Sequence, residues 1–460
     1  MSTLWSGRFD QAPDAAAFEW GSSFSFDRRL FEDDVTGSLA WSRALAGAGV
    51  LTADEAAAIQ AALSDILAEG RANPSFVNGD DEDVHSFVER LLVARLGDTG
   101  KRLHTGRSRN EQVSLDLRLY LRRRIPALQQ AVADIVAALS RQARAAGDAL
   151  MPSYTHFRPA QPVLVAHFLL AHAAPLRRDF DRLATARQEA GALTLGSGAI
   201  AGTSYAVDVH AIARDLGFDR IVANSIDASS DRDFAATFLY ACSLTMVHLS
   251  RLAEDLIILC GDEHRFFEFS DALSTGSSMM PQKKNPDPLE LVRGKTGRAI
   301  GDLMALLTTM KGIPSGYNKD LQEDKHVVFD AEDTVAGCTA VVKSVVDGLS
   351  LNRARAEAAA SGLLLATDVA DYLVGKGVPF RTSHEIVGAL VRKLIVEQRE
   401  FGSLSLQEWQ AASPKFEADV VARVTPGASV AAKRTPQSTA PDAVARALDE
   451  CDAWVSGVRA

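Results

Sequence analysis

Apolar positions recur every three to four residues along most of the chain, and two-residue alternation is scarce. That period predicts helices. Residues 29–70 read as helix, turn, helix: Ala48-Gly49-Val50-Leu51 leads to Thr52, an N-cap residue with Glu55 three positions on. Residues 80–96 form another amphipathic helix ended near Gly97, and a long run from Glu111 to Ala146 is interrupted only by Pro126. Further long segments run from Gln161 to Ala190, Asp231 to Glu268, Asp287 to Lys311 and Gln322 to Leu349. After Gly362 the helices shorten, with turns at 375–379 and 425–427. The expectation is an all-α chain of three mostly helical domains: 1–110, a central long-helix bundle 111–361, and a small C-terminal domain 362–460.

The stretch from Phe234 to Ser250 contains no Asp, Glu, Lys or Arg. It falls short of the roughly 20 residues that span a bilayer, and Ser243, Thr245 and His248 interrupt it. A helix buried on nearly every side is the better account. Such helices leave little polar face for water, so several chains are expected to pool them into one bundle.

The 460 residues are 47% hydrophobic and 23% charged, with a formal charge of -10. This is the composition of a soluble globular protein. The acidic balance argues against a general nucleic-acid binder, yet leaves room for an anionic substrate in a cleft of locally positive potential. Cys242, Cys260, Cys338 and Cys451 show no CxxC pair or metal-type spacing. A reducing compartment fits them, with Cys242 and Cys260 as buried thiols. The Met1–Trp5 start lacks a basic region followed by an apolar one, so a cytoplasmic protein without membrane partners is expected.

Four segments carry the unusual chemistry. Ser274–Asp287 packs glycine, paired hydroxyls, Lys283, Lys284 and two prolines into a stretch with no regular period. A donor-rich, positively charged loop suits an anion that must be gripped and released; the alternative is a surface loop. Thr105–Gln112 sets two arginines and Asn110 at the entrance to a long helix, a natural carboxylate site or an ordinary cap with solvated arginines. Tyr154–Pro162, read as lying just before a helix, contains His156, suited to proton transfer near neutral pH or simply structural. Gly316–Lys325 offers cations and anions together, as a zwitterionic ligand requires, or is a solvated turn. No HExxH, P-loop or Rossmann fingerprint occurs, so no metal or other cofactor is implied.

Gly276–Asn285 resembles the signature of the fumarase/aspartase superfamily, whose members eliminate a group beta to a carboxylate and release fumarate. The continuation to Asp287, Thr105–Asn110, Tyr317–Lys325, Leu4–Phe9, Leu364–Asp368 and Gly377–Arg381 are each similar to the argininosuccinate lyase family, so the likeness covers essentially the whole chain. The resemblance implies reversible cleavage of argininosuccinate to arginine and fumarate, the last step of arginine biosynthesis, by a homotetramer whose active sites each draw on three subunits. It assigns Ser277 as base, Lys283 and Asn285 as stabilisers of a dianion, and His156 as acid with Glu290 as its charge partner; the family has also been read with His156 as base. Ser23, Asn110, Thr155, Tyr317, Gln322 and Lys325 match substrate contacts, as do Asp27, His85 and Arg109 less closely. From its sequence setting alone His85 would read as an exposed helix-start histidine.

The chain departs from the family pattern at three places. Glu111 stands where aspartate is usual, Arg158-Pro159 replaces Gln-Arg after the Thr-His pair, and Gln437-Ser438 replaces Gly-Gly. Competing readings are a lyase acting on adenylosuccinate or aspartate, against which the 107–110 and 317–325 segments argue, and an inactive lens crystallin of the same family.

Overall fold

The computed structural model describes residues 14–459; the Leu4–Phe9 match lies outside them. The chain forms two compact units. One contains residues up to Leu128, Arg182–Ser243 and Arg298–Thr334; the other contains Gln129–Asp181, Leu244–Gly297 and Val335 onward. Both are mostly helical.

In the first unit, Phe31–Gly47 and Ala53–Ala72 are the helices of the expected helix–turn–helix. Thr52 caps the second: its Oγ1 accepts the Glu55 amide and its own amide donates to the Glu55 carboxylate, a complete capping box. Val84–Leu96 follows, stopped by Gly97 at a positive φ of 57°. An aromatic cluster of Phe24, Phe31, Phe76 and Phe87 closes the core beside it, with ring centroids 5.0 to 6.5 Å apart.

The long helices run Arg109–Ala146, Val165–Glu189, Asp233–Cys260, Asp287–Met310 and Asp324–Asp347. Two of them are shorter than their pattern suggests. The run from Gln161 begins as an antiparallel hairpin, Leu150–Thr155 paired with Arg158–Leu164, because Pro159 and Pro162 cannot donate to a helix. The run from Asp231 stops at Cys260, where Gly261 follows and Arg265 turns at φ 52°. The apolar stretch from Phe234 is largely buried, with Tyr240 exposed. No single helix among the described residues is long and apolar enough to cross a membrane. All four cysteines are free; Cys260, expected to be buried, is partly exposed.

The second unit ends in a compact core of its own. Trp409, Phe401, Phe416, Leu373 and Leu394 are essentially inaccessible there, contributed by Ala366–Gly375, Phe380–Glu397 and the shorter helices after them. Thr439 Oγ1 accepts the Leu164 amide at 2.8 Å and so ties the hairpin to the chain's last segment.

Candidate active site

The first unit gathers eight of the expected residues around one hollow of about 140 Å³: Ser23, Asp27, His85, Arg109, Asn110, Tyr317, Gln322 and Lys325. Ser23 and Asp27 are joined directly, Ser23 Oγ donating to Asp27 Oδ2 at 2.5 Å, while Asp27 Oδ1 accepts the Val84 amide at 3.0 Å. Burial pushes the Asp27 carboxyl up to about 6, partly opposed by the Ser23 hydrogen bond and His85. Gln322 is anchored by its amide to the Gly21 carbonyl at 3.3 Å.

Arginine placement differs from the solvated-cap alternative. Arg107 is buried and donates to Ser38 Oγ at 3.0 Å. Arg109 lies at the hollow but spreads its guanidinium over Glu82, Asp83 and Ser86, at 3.2, 3.0 and 2.9 Å. Burial works against ionisation of Asp83, but His85 and Arg109 outweigh it and hold its carboxyl below the usual range. The loop can fold this tightly because Gly106 has a φ of +70°, where a Cβ would lie 2.5 Å from the Tyr205 ring.

Glu111 has a local role. Its Oε1 accepts the Ser108 amide at 3.0 Å while Ser108 Oγ accepts that of Asn110 at 3.2 Å, so the two cap the Arg109–Ala146 helix reciprocally. The longer side chain thus reaches back to the cap. Burial raises the Glu111 carboxyl to about 7.

Lys325 and Tyr317 complete the hollow. Lys325 Nζ donates to Asp324 Oδ1 at 2.8 Å, and Asp324 also accepts from the fully buried Arg232. Burial pushes the Tyr317 hydroxyl up to about 12, which keeps it a neutral donor. Glu82, Asp83 and Lys319 also line the space. None of the three was among the expected site residues, although Lys319 falls within the Gly316–Lys325 segment.

The remaining expected residues belong to the second unit. Thr155 ends the first hairpin strand, and His156 with Phe157 forms its two-residue turn, at φ 54° and 56°. Two consecutive left-handed residues match the twist of the strands, the geometry of a type I′ turn. His156 is exposed at this tip and lines a hollow of about 740 Å³ with Phe157, His167, Phe168 and His172.

Ser277 lies in a loop closed by a two-residue ladder, Thr275 opposite Asn285 and Gly276 opposite Lys284. Its Oγ accepts the amides of Met279 at 3.3 Å and Met280 at 3.0 Å. Two donors aimed at one hydroxyl oxygen favour its deprotonated form. Lys284 is tied down at 2.8 Å to Asp271, whereas Lys283 is exposed at the loop's far end. Asn285 is half-buried where the ladder closes, and Glu290 is exposed in the first turn of Asp287–Met310, 4.0 Å from Arg293.

A wider hollow, about 1230 Å³, contains none of the expected residues. Two of its arginines are paired, Arg29 with Asp333 at 2.6 Å and Arg123 with Asp33 at 2.7 Å.

A lyase family model matches residues 7–301, and a model of the argininosuccinate lyase C-terminal region matches 363–431. An argininosuccinate lyase of Moorella thermoacetica is 47% identical over 458 residues, covering 99% of both chains. One from a Roseiflexus species is 49% identical over 443 residues, 96% of this chain and 97% of that one. Among solved structures, an EDDS lyase in complex with formate superposes with a TM-score of 0.84 at 26% identity, over 98% of this chain and 92% of the other. A class II fumarase from Schistosoma mansoni shares the fold, with a TM-score of 0.75 at 14% identity over 87% and 90%. The chain belongs to the argininosuccinate lyase family of the fumarase/aspartase superfamily.

Proposed function

We propose that the protein cleaves argininosuccinate reversibly to L-arginine and fumarate, as the last step of arginine biosynthesis in the cytoplasm. The observation that carries this reading is the hollow of the first unit, where Lys325, His85, Asp27 and Glu82 set both signs of charge around hydrogen-bonding Ser23, Asn110, Tyr317 and Gln322. A substrate with carboxylates, an ammonium and a guanidinium needs that mixture.

The reaction removes a proton from the carbon beside one succinyl carboxylate and then breaks the bond from the adjacent carbon to the guanidino nitrogen. Ser277 takes the proton, helped by the Met279 and Met280 amides that already point at its oxygen. The intermediate carries two negative charges on one carboxylate, which Lys283 and Asn285 stabilise. His156, partnered by Glu290, protonates the leaving nitrogen, and Thr155 holds the substrate beside it. Exchange of the acid and base roles between Ser277 and His156 balances equally well.

A hollow of about 140 Å³ is smaller than the roughly 300–1,000 Å³ usual for ligand sites. That small volume supports a site completed by other chains, in a homotetramer. Supporting this, Leu291, Ile300, Met304 and Leu307 stand exposed along Asp287–Met310, with Met304 at 56%. The division into 1–110, 111–361 and 362–460 is kept as the domain reading; the C-terminal match beginning at residue 363 supports its second boundary.

The test is a substrate panel. Purified protein should release fumarate from argininosuccinate and not from adenylosuccinate or aspartate. Turnover of either rival substrate, with argininosuccinate inert, would replace this reading.

A further inference from the structure

Behind the candidate substrate hollow lies a buried cluster that the reaction as written does not use. His85 Nδ1 is 2.5 Å from Asp34 Oδ2 and 3.4 Å from Asp116 Oδ2. Gln112 Nε2 donates to the same Asp34 oxygen at 2.6 Å. Asp34, Asp116 and Gln112 are all at least 98% buried, and Asp34 Oδ1 and both Asp116 oxygens have no hydrogen-bond partner among the described residues. Three elements supply the cluster: Asp34 comes from Phe31–Gly47, His85 from Val84–Leu96, and Gln112 and Asp116 from Arg109–Ala146.

A carboxylate this deeply buried is costly unless it fixes another group. Here the group is His85, which lines both the hollow and the small space beside Asp34 and Gln112. The hollow's other carboxylates already have partners: Asp27 has Ser23 and the Val84 amide, and Asp83 has Arg109 and the Ser86 amide. With Nδ1 committed to Asp34, Nε2 is the ring nitrogen available to a ligand. Arg107 lines the same small space as Asp34 and Gln112, and its guanidinium donates to Ser38.

We propose that Asp34 is a positioning residue for argininosuccinate cleavage: it holds His85 as an imidazolium whose Nε2–H is presented to a substrate carboxylate. Asp116 Oδ2 lies 3.4 Å from the same Nδ1 and backs the contact that Asp34 makes. The inference rests on the proposed reaction and adds the means by which one of its binding groups keeps its charge and direction. Burial works against a charged His85, but Asp34, Asp83 and Asp27 outweigh it and raise its pKa. Burial, then Asp34 itself, raises the Asp116 pKa well above its ordinary value.

The experiment is a double-mutant cycle in the full-length protein with Asp34→Asn and His85→Gln, reading KM and kcat for argininosuccinate and thermal unfolding. Asparagine keeps one oxygen for His85 and Gln112, removes the charge and puts an amide NH2 where the unpartnered Oδ1 was. Asp34→Asn should raise KM about tenfold, the difference between a charged and a neutral donor, with kcat within about threefold of the parent. In the His85→Gln background the same change should leave KM within about twofold, because Asp34 acts through His85. Equal effects of Asp34→Asn in both backgrounds, or a fall in kcat and melting temperature at unchanged KM, would reduce the cluster to a structural role. An active parent with an unaltered Asp34→Asn variant overturns this inference alone; an inactive parent removes the proposed reaction and this inference together.

Discussion

Lys325 reaches the candidate hollow from a buried charge network, and that network has a measurable worth. Asp324 is fully buried, accepts from Arg232 and, at 2.8 Å, from Lys325, and both cations are themselves 97% or more buried. Replacing Asp324 with asparagine keeps the shape but leaves two buried cations facing a neutral amide. Removing one member of such a pair costs about 3–5 kcal/mol, because the remaining charge stays desolvated. Burial opposes ionisation of Asp324, but Lys325 and Arg232 outweigh it and lower its pKa. A carboxylate with a depressed folded-state pKa contributes stability that is complete above its unfolded value of about 3.9 and lost as pH falls through the folded value. Asp324→Asn should therefore lose about 3 kcal/mol or more by urea unfolding at pH 7, with the gap to the parent narrowing only below about pH 4. Its KM for argininosuccinate should rise as Lys325 loses its anchor. A loss under about 1 kcal/mol with unchanged KM would mean that the cations are solvated and the network does not hold the pocket.

Three further outcomes follow from the site geometry. Ser277→Ala should lower kcat by about 10²–10⁴ while leaving the melting temperature unchanged, since its hydroxyl bonds only to two loop amides; near-parent turnover would remove it from the proton transfer. His156→Asn should cut kcat on a similar scale of about 10²–10⁴. Asparagine tolerates the φ of 54° at that turn, so a large loss of stability instead would assign His156 to the hairpin alone. Glu111, raised to about 7 by burial, makes the folded state bind a proton that the unfolded chain has released, so stability should fall as pH rises from about 4.5 to 7. Glu111→Gln should flatten that slope in pH-dependent denaturation, and an unchanged slope would locate the titration elsewhere.

Local signals made much of the fold legible. Thr52 with Glu55 marked a helix start that the structure closes with both hydrogen bonds, and Gly97 marked a helix end. The hairpin was missed because its turn is His156-Phe157, without the Asn-Gly that usually announces two left-handed residues. Pro159 and Pro162 were the available warning that no helix begins before them. Eight of the expected site residues do meet in one hollow, yet they are scattered between positions 23 and 325, and only the resemblance to a family connected them. Their supports were invisible for a physical reason. Asp34, Asp116, Arg232 and Asp324 are charged side chains that read as solvated helix faces until the fold buries them. The same blindness made His85 look exposed; Val84–Leu96 turns it inward against Asp34.

The most direct measurement of the central claim is product stoichiometry with purified protein and argininosuccinate. The ultraviolet absorbance of the fumarate double bond and the arginine released should rise together, one of each for every substrate consumed. Absence of both products from the correctly assembled protein, or fumarate formed without arginine, would contradict the account.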